Sequence, residues 1–143
     1  MAKAHDLIYL HASSVAYQGR AVVIEGHSGS GKSMLSLGLM ALGARLVSDD
    51  QTCLTLCGDQ VLAAPPQTLA GRIEARGLGI LRADFVADVP VSLFVTCSEL
   101  ETDRLPPRRS KNLLGICFPM LHYVESPYFA SAILQYLKGG RDA

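Results

Sequence analysis

Residues 25–51 read EGHSGSGKSMLSLGLMALGARLVSDDQ, and this stretch decides the fold of the chain. Its first part fits the phosphate-binding pattern Gly-x-x-x-x-Gly-Lys-Ser at Gly26, His27, Ser28, Gly29, Ser30, Gly31, Lys32 and Ser33. A strand-like apolar run precedes the pattern and helical spacing follows it, which is the context that the pattern requires. We therefore predict an α/β fold, in which a P-loop-containing mixed sheet with flanking helices forms a single domain over residues 1–143.

The residue types in this loop suit the binding of ATP and Mg²⁺. Glycines let backbone N–H groups turn towards phosphate oxygens, and the N-terminus of the following helix adds partial positive charge. Lys32 is expected to reach the terminal phosphates, and the Ser33 hydroxyl is expected to ligate Mg²⁺. His27 occupies a variable position of the pattern, and we expect it to face solvent.

Two adjacent carboxylates, Asp49 and Asp50, follow a short buried strand predicted at residues 44–48. This strand is expected to return close to the loop, so that its carboxyl end faces the terminal phosphate. A carboxylate there can hold Mg²⁺ or accept a proton from an attacking hydroxyl. Because adjacent strand residues point to opposite faces, we expect the two aspartates to have different roles. A plain Asp-Asp turn after a strand is the alternative.

The remaining segments predict the rest of the mixed sheet and a last helix. Strands are predicted at residues 13–17 and 20–25 around a Gln18-Gly19 turn, at residues 51–64 as a hairpin, and at residues 89–97. Residues 67–86 have no clean period and indicate a functional loop, and residues 98–112 indicate a charged connection with prolines. Ser126-Pro127 is expected to begin the last helix, which Gly139-Gly140 ends.

Composition narrows the class of partner and the compartment. Thirteen basic residues balance thirteen acidic ones, which argues against nucleic acid or a membrane surface as a partner. The N-terminal residues lack the apolar core of a signal peptide, so we predict a cytoplasmic protein. Cys53, Cys57, Cys97 and Cys117 form no CxxC pair, and we expect four buried, inert thiols; a metal or redox pair of Cys53 and Cys57 is the alternative.

Four blocks of the sequence, taken in order, resemble HPr kinase/phosphorylase, the bacterial enzyme that phosphorylates a serine of the phosphocarrier protein HPr. His11 stands fifteen residues before Gly26, as an active-site histidine of that family stands before its loop. Residues 26–33 match the loop, and residues 43–50 (GARLVSDD) resemble the family's aspartate block. Residues 73–81 (IEARGLGIL) resemble its signature Glu-Ile-Arg-Gly-Leu-Gly-Ile, which a generic P-loop protein has no reason to contain.

The resemblance implies a role for individual residues. It makes Asp50 the proton acceptor for the attacking serine and the proton donor in the reverse reaction. It implies catalytic roles for His11, Lys32 and Arg104, and a Mg²⁺ site at Ser33, Asp49 and Glu74. It further implies HPr as the partner and a homo-oligomer, typically a hexamer, built from the short form that consists of the catalytic domain alone.

One block departs from the family pattern. Residues 106–113 (PPRRSKNL) resemble an altered form of Pro-Val-(Arg/Lys)-x-Gly-Arg-Asn-Leu, with Arg108 and Lys111 at its basic positions. A lysine is a point charge and lacks the bidentate fork of arginine, and Ser110 suits a left-handed turn less well than glycine. Because the family ties its phosphorylase reaction to this block, we predict a working kinase with weak phosphorylase activity.

Two other functions stay open on the sequence alone. The first is a small-molecule kinase of the P-loop type, against which residues 73–81 argue. The second is a regulator that binds ATP without turnover, against which the intact Lys32, Ser33, Asp50 and Glu74 argue. Arg72 and Arg76 read either as surface charge or as a phosphate clamp.

Overall fold

The computed structural model describes residues 6–143, within which the chain forms eleven strands and two α-helices. The strands are β1 (Leu7–Leu10), β2 (Ala12–Tyr17), β3 (Arg20–Glu25), β4 (Arg45–Ser48), β5 (Thr52–Cys57), β6 (Gln60–Ala64), β7 (Arg72–Ala75), β8 (Gly79–Arg82), β9 (Val89–Leu100), β10 (Arg109–Leu113) and β11 (Ile116–Tyr123). The helices are α1 (Lys32–Ala41) and α2 (Phe129–Gly139).

Most of these strands belong to one mixed sheet, whose path runs β1-β5-β6-β9-β3-β2-β4. Strand β9 lies parallel to β3 and also parallel to β11, which pairs antiparallel with β10. The other pairs of this sheet are antiparallel, and β7 and β8 form a separate two-stranded ribbon. The predicted α/β class with a mixed sheet is therefore confirmed.

The two faces of the sheet are buried in different ways. Both helices pack on one face, where the apolar stripes of α1 and α2 meet inward residues of β2, β3 and β9. The sheet curls over its other face, since β5, β6 and β11 contribute side chains to a second cluster around Phe94. In that cluster the rings of Phe94 and Phe118 lie 5.3 Å apart between centroids. No helix within residues 6–143 has both the length and the apolar character of a membrane span.

The local sequence explains why the loop of residues 26–33 stands where it does. Gln18 (φ 52°) and Gly19 (φ 75°) both have positive φ, as a tight two-residue hairpin turn requires, so β2 returns directly as β3. The buried Ile24 fixes β3 against the helices, and the chain then enters the loop. Leu35 and Leu39 bury one face of α1 against the same cluster. The loop therefore joins a fixed strand end to a fixed helix start.

Four predictions of local structure are wrong. The connection predicted at residues 98–112 contains most of β10. Residues 67–86 contain the β7–β8 ribbon rather than only a loop; β7 alternates exposed and buried residues over only four positions, and β8 has no fully buried residue, so the strand pattern is too short to stand out. Strand β9 continues to Leu100, beyond the predicted end at residue 97, because it pairs with β11 along this stretch. Helix α2 begins at Phe129, because Tyr128 adopts the non-helical cap conformation and Pro127 lies outside the helix.

The expectation of four buried thiols is wrong, because none of the four cysteines is fully buried. Cys57 and Cys117 are exposed, whereas Cys53 and Cys97 are half-buried, and all four are free. Cys57 ends β5 at a turn, and Cys117 alternates outward on β11 beside the buried Phe118. Their exposure therefore follows from a turn and from strand alternation, which composition does not report.

Candidate functional site

A cavity of about 300 Å³ lies between the loop of residues 26–33 and the β7–β8 ribbon. Three parts of the chain form its walls: the loop with the start of α1, Asp50 after β4, and the ribbon with its turn. The lining residues are Ser28, Gly29, Gly31, Lys32, Ser33, Met34, Asp50, Glu74 and Arg76. The fold thus brings predicted site residues from three distant blocks of sequence to one place.

The loop is built to present backbone N–H groups. Gly29 (φ 81°) and Gly31 (φ 98°) adopt left-handed conformations, which L side chains rarely adopt. Such turns direct successive N–H groups towards one concave side, which is a common anion-binding arrangement. The N–H of Ser30 donates to the His27 carbonyl at 3.1 Å and holds the turn closed. His27 itself is exposed, as expected.

Gly26 and Ser30 make close contact inside the loop. A Cβ on Gly26 would stand 2.5 Å from Ser30 Oγ and 3.2 Å from Cys97 Cβ, so only glycine fits there. Ser30 Oγ is also buried without a hydrogen-bond partner among the described residues. An unpartnered hydroxyl in a phosphate-type loop suits a polar ligand, since leaving it unpaired is costly.

The side chain of Lys32 is folded back onto its own loop. Its Nζ donates to the carbonyl oxygens of Gly26 at 2.9 Å and of His27 at 3.1 Å, and the residue is only 6% exposed. Its partners here are neutral carbonyl groups rather than carboxylates. Since no carboxylate is among these partners, the ammonium can attract an anionic ligand to the cavity.

Asp49 is buried and accepts hydrogen bonds from three directions. Its Oδ1 accepts from Ser33 Oγ at 2.7 Å and from Ser13 Oγ at 2.8 Å. Its Oδ2 accepts from the backbone N–H of Glu74 at 2.9 Å. A buried carboxylate needs such donors, because they offset its loss of hydration. The two carboxylate oxygens of Asp49 thereby connect the start of α1, strand β2 and the ribbon through hydrogen bonds.

Asp50 points elsewhere. Its φ of 69° is left-handed, and this backbone twist separates its carboxylate from that of Asp49. Asp50 Oδ1 lies 2.9 Å from His11 Nε2, and the two side chains are 69% and 50% exposed. One aspartate is thus buried in a hydrogen-bond network while the other faces the cavity, so different roles are possible for neighbouring residues.

The ribbon contributes one carboxylate and one cation. Ile73 and Ala75 are buried beneath it, which leaves Glu74 on the outward side, where it lines the cavity. Arg76 follows in the turn and also lines the cavity, whereas Arg72 is exposed and lies outside its wall. Of the two arginines for which the sequence left a phosphate role open, the structure brings Arg76 to the cavity.

The donor set suits a metal ion that is only partly held by protein. Within residues 6–143, no group of three His, Cys, Asp or Glu side chains is arranged to hold an ion by itself. Ser33 and Glu74 line the cavity, and the Asp49 carboxylate accepts hydrogen bonds from the Ser33 hydroxyl and from the backbone N–H of Glu74. Mg²⁺ typically takes one or two carboxylates and completes its shell with phosphates and water, so these residues fit it.

Cys97 lies on β9 against the loop but offers little chemistry. Burial raises the pKa of its thiol to about 11, although the nearby Lys32 ammonium lowers that pKa in part. The thiol is therefore protonated at neutral pH and is a poor nucleophile.

The predicted site residues of the C-terminal half are placed differently. Arg104 is exposed in the connection between β9 and β10 and is not part of the cavity wall. Lys111 Nζ contacts both carboxylate oxygens of Glu25 at 2.9 and 2.8 Å. Arg109 donates to both oxygens of Glu101 at 3.2 Å, and this hydrogen bond holds the pKa of the Glu101 carboxyl below its usual range. Two of the three basic side chains in this block are thus engaged in ion pairs.

Sequence reasoning missed Ser13 and Glu25. Ser13 is fully buried on β2 and contacts Asp49, and Glu25 is the last residue of β3 and pairs with Lys111. Nothing in the sequence indicated the contact of Ser13, because Asp49 lies 36 residues away. Nothing in the sequence indicated the pairing of Glu25, because its partner lies 86 residues away.

Comparison with known proteins shows the family to which the chain belongs. Residues 3–87, more than half of the chain, match the family model described as HPr Serine kinase C-terminal domain. An HPr kinase/phosphorylase of Chlorobium phaeobacteroides is 30% identical over 130 residues, which cover 82% of this chain and 38% of the relative. An HPr kinase/phosphorylase of Chloroherpeton thalassium is 42% identical over 126 residues, covering 79% of this chain and 37% of the relative. The chain thus spans less than two fifths of the length of these curated relatives.

A solved structure shares the fold. The Hpr(Ser) kinase/phosphatase from Coxiella burnetii matches with a TM-score of 0.78 at 24% sequence identity. The match covers 92% of this chain and 96% of that one, so the mixed sheet and both helices belong to an architecture already seen in a kinase/phosphatase.

Proposed function

Since the chain belongs to the HPr Serine kinase C-terminal domain family, we propose that it transfers the terminal phosphoryl group of ATP to a serine of the phosphocarrier protein HPr, with Mg²⁺. The observation that carries this proposal is that Lys32, Asp50 and Glu74 line one and the same cavity. We propose that residues 1–143 act as one catalytic domain in the cytoplasm. Neither nucleic acid nor a membrane is a partner in this proposal.

The loop of residues 26–33 is the proposed holder of the ATP phosphates. Its left-handed glycines and the start of α1 supply N–H donors, and Lys32 moves its ammonium from the Gly26 and His27 carbonyls to a phosphate oxygen. Ser33, Asp49 and Glu74 are the residues that we propose to hold Mg²⁺. When bound, the ion offsets phosphate charge and orients the terminal group.

Asp50 is the proposed base. The serine hydroxyl oxygen forms a bond to the γ-phosphorus, the bond from that phosphorus to the bridging oxygen breaks, and ADP leaves with the electron pair. Asp50 takes the hydroxyl proton, and in the reverse direction the protonated Asp50 returns it. Its exposure beside the cavity and its hydrogen bond to His11 support this role, because His11 fixes the direction of the carboxylate.

Arg104 remains a proposal that rests on the family resemblance alone. It stands in the exposed connection after β9, and we propose that it stabilises charge on the transferred group. An Arg104→Lys variant tests this role, since a lysine keeps the charge but cannot donate in a bidentate manner. Wild-type turnover in that variant would remove Arg104 from the catalytic set.

The reverse reaction is proposed to be weak. Dephosphorylation by inorganic phosphate needs two anionic groups close together, and fixed positive charge has to offset their repulsion. Lys111 stands at one of the two basic positions of the altered block, and its charge is already paired with Glu25 at 2.8 Å. The forward reaction involves a neutral serine hydroxyl, so the loss of free charge affects it less.

We also propose a homo-oligomer, and a hexamer as its form. Leu78 and Ile80 on the ribbon are 78% and 64% exposed, and neighbouring exposed apolar side chains often mark a protein contact. Light scattering of the purified chain is expected to give a mass several times the 15.3 kDa of one subunit. A monomer mass at micromolar concentration would contradict this proposal.

ADP release separates this function from the two alternatives. Purified protein with ATP and Mg²⁺ is expected to release ADP when HPr is added and to stay near background with a panel of sugar acids and other metabolites. Release driven by a metabolite would favour a small-molecule kinase. Tight ATP binding with no release under any condition would favour a regulator without turnover.

A further inference from the structure

Asp49 and Asp50 are proposed to have different roles, so the structure has to hold their carboxylates in different directions. Strand β4 contributes one part of this arrangement, because its pairing with β2 shifts register between Ser14–Ser48 and Val15–Leu46. Such a bulge redirects the residues that follow it. The left-handed φ of Asp50 contributes a second part. Neither feature, however, holds the side chain of Asp49 and the backbone of Asp50 to the same neighbour.

Ser13 contacts both aspartates with one hydroxyl group. It is fully buried on β2, and its Oγ donates to Asp49 Oδ1 at 2.8 Å. The same oxygen accepts from the backbone N–H of Asp50 at 3.2 Å. A serine hydroxyl has one proton to donate and two lone pairs to accept with, so a single atom satisfies both contacts.

Ser13 is one of three donors to the Asp49 carboxylate. Ser33 Oγ shares Asp49 Oδ1 at 2.7 Å, and in the proposed function the Ser33 hydroxyl turns to the metal ion. Ser13 and the N–H of Glu74 then remain as the donors that orient Asp49. Outer partners of this kind fix the geometry of a ligand without touching substrate.

We propose that Ser13 is a positioning residue that fixes the Asp49 carboxylate and the Asp50 backbone in their divergent orientations. The inference deepens the proposed function. Only its kinetic test depends on that function, because the exchange test needs no ligand and no activity. It predicts that losing the Ser13 hydroxyl frees the Asp50 N–H even with no ligand bound, and slows phosphoryl transfer more than it weakens ATP binding.

Ser14 offers a matched control. It is the next residue of β2, is also fully buried, and its hydroxyl bonds to Thr52 Oγ1 at 2.9 Å rather than to either aspartate. Ser13→Ala and Ser14→Ala therefore each remove one buried hydroxyl from the same strand. Both variants lose stability, so only effects confined to Ser13→Ala report on positioning. Ser13→Thr keeps the hydroxyl and tests rescue.

Amide hydrogen exchange measured residue by residue on the ligand-free protein gives the first test. In Ser13→Ala the Asp50 amide is expected to exchange about fivefold faster than in wild type, the factor for one ordinary lost hydrogen bond. Ser14→Ala and Ser13→Thr are expected to leave that rate unchanged. An unchanged Asp50 rate in Ser13→Ala overturns the inference. If Ser13→Ala does not fold, Ser13→Cys against Ser14→Cys gives the same comparison with a weaker donor.

Kinetics with HPr, ATP and Mg²⁺ give the second test. Ser13→Ala is expected to lower kcat roughly 10- to 100-fold, as loss of an outer partner does, with the KM for ATP close to wild type. Equal kcat values for Ser13→Ala and Ser14→Ala overturn the inference. If wild type transfers no phosphate to HPr, the proposed function fails, and the exchange rates still decide the role of Ser13.

Discussion

The cavity and the β10 strand differ in what their charged side chains contact. At the cavity, Lys32 donates to neutral carbonyl groups and Asp50 meets a histidine on an exposed surface. On β10, Arg109 meets Glu101 and Lys111 meets Glu25, each through two contacts between charged atoms. Both regions carry the charged residues that a phosphate site needs, but only the first leaves those charges available to a ligand.

This difference shows that a charged residue can be present in a motif without its charge being available to a ligand. A lysine whose ammonium already touches a carboxylate attracts a phosphate less, because the field of the pair falls off faster than that of one charge. A sequence motif records only that the lysine exists. The comparison therefore predicts that changes at the cavity have large effects on the forward reaction, and that changes on β10 have small ones.

Asp50→Asn is expected to have the largest effect. Asparagine keeps the shape and can still contact His11, but it cannot accept the serine proton, so kcat should fall by roughly 10²–10⁴-fold while ATP still binds. Steady-state transfer to HPr and a separate ATP-binding measurement check this result. Asp59→Asn, at an exposed turn, is the control. Wild-type kcat in Asp50→Asn would show that another group is the base.

Lys32→Ala comes next. It removes the one lysine in the cavity wall, and turnover should fall by roughly 10²–10³-fold because charge that develops on the phosphate oxygens loses a fixed partner. Circular dichroism should show an intact fold. Lys138→Ala removes an exposed lysine of α2, whose ammonium lies near the ring of Tyr17, and should leave turnover unchanged. Near-normal activity in Lys32→Ala would contradict the assignment of the loop.

Glu25→Gln should have a modest effect, in the opposite direction. It releases the Lys111 ammonium from its carboxylate partner, so phosphate-driven dephosphorylation of phospho-HPr should rise about two- to fivefold, as one partly exposed charge allows. Glu99→Gln is the control. Glu99, Glu25 and Lys111 line a second pocket, separate from the cavity at the loop, but Glu99 forms no ion pair with Lys111. A reverse rate in wild type that already equals the kinase rate would contradict the weak-phosphorylase proposal.

Arg109→Gln should have the smallest effect, and the effect should depend on pH. Arg109 lowers the pKa of Glu101, so the pair stabilises the fold above the ordinary carboxyl range and loses that contribution as the pH falls through the lowered pKa. The difference in urea midpoint between wild type and Arg109→Gln should thus be widest near neutral pH and close below about pH 4. The Glu125→Gln control should show no such closing. A constant difference at every pH would mean that the pair contributes through packing rather than charge.

Local sequence was enough to predict the elements around the loop. The Gln18-Gly19 turn, the helical spacing after Ser33 and the short strand before Asp49 each follow from backbone preference or periodicity within a few residues. The β7–β8 ribbon was missed because each of its strands has only four residues and β8 has no fully buried side chain, so the alternation is confined to β7. The extended end of β9 was missed for another reason: its pairing with β11 depends on a strand some twenty residues away.

The sequence predicted residues that share one cavity, but it did not predict their contacts. The loop pattern predicted Lys32, the returning strand predicted Asp50 and the family resemblance predicted Glu74, and all three line one cavity. The hydrogen bond between His11 and Asp50 and the double contact of Ser13 join residues about forty positions apart, and no local pattern encodes them. The pairing of Lys111 with Glu25 is equally long-range and decides whether its charge is free.

The most direct test of the account is to locate the phosphate. Purified protein is incubated with HPr, Mg²⁺ and ATP labelled in the γ-phosphoryl group, and modified HPr is then fragmented and sequenced by mass spectrometry. The account predicts a single phosphoserine in HPr made by wild type and hardly any made by Asp50→Asn. Unlabelled HPr, or label on a residue other than serine, would contradict the assignment of this chain as a protein-serine kinase.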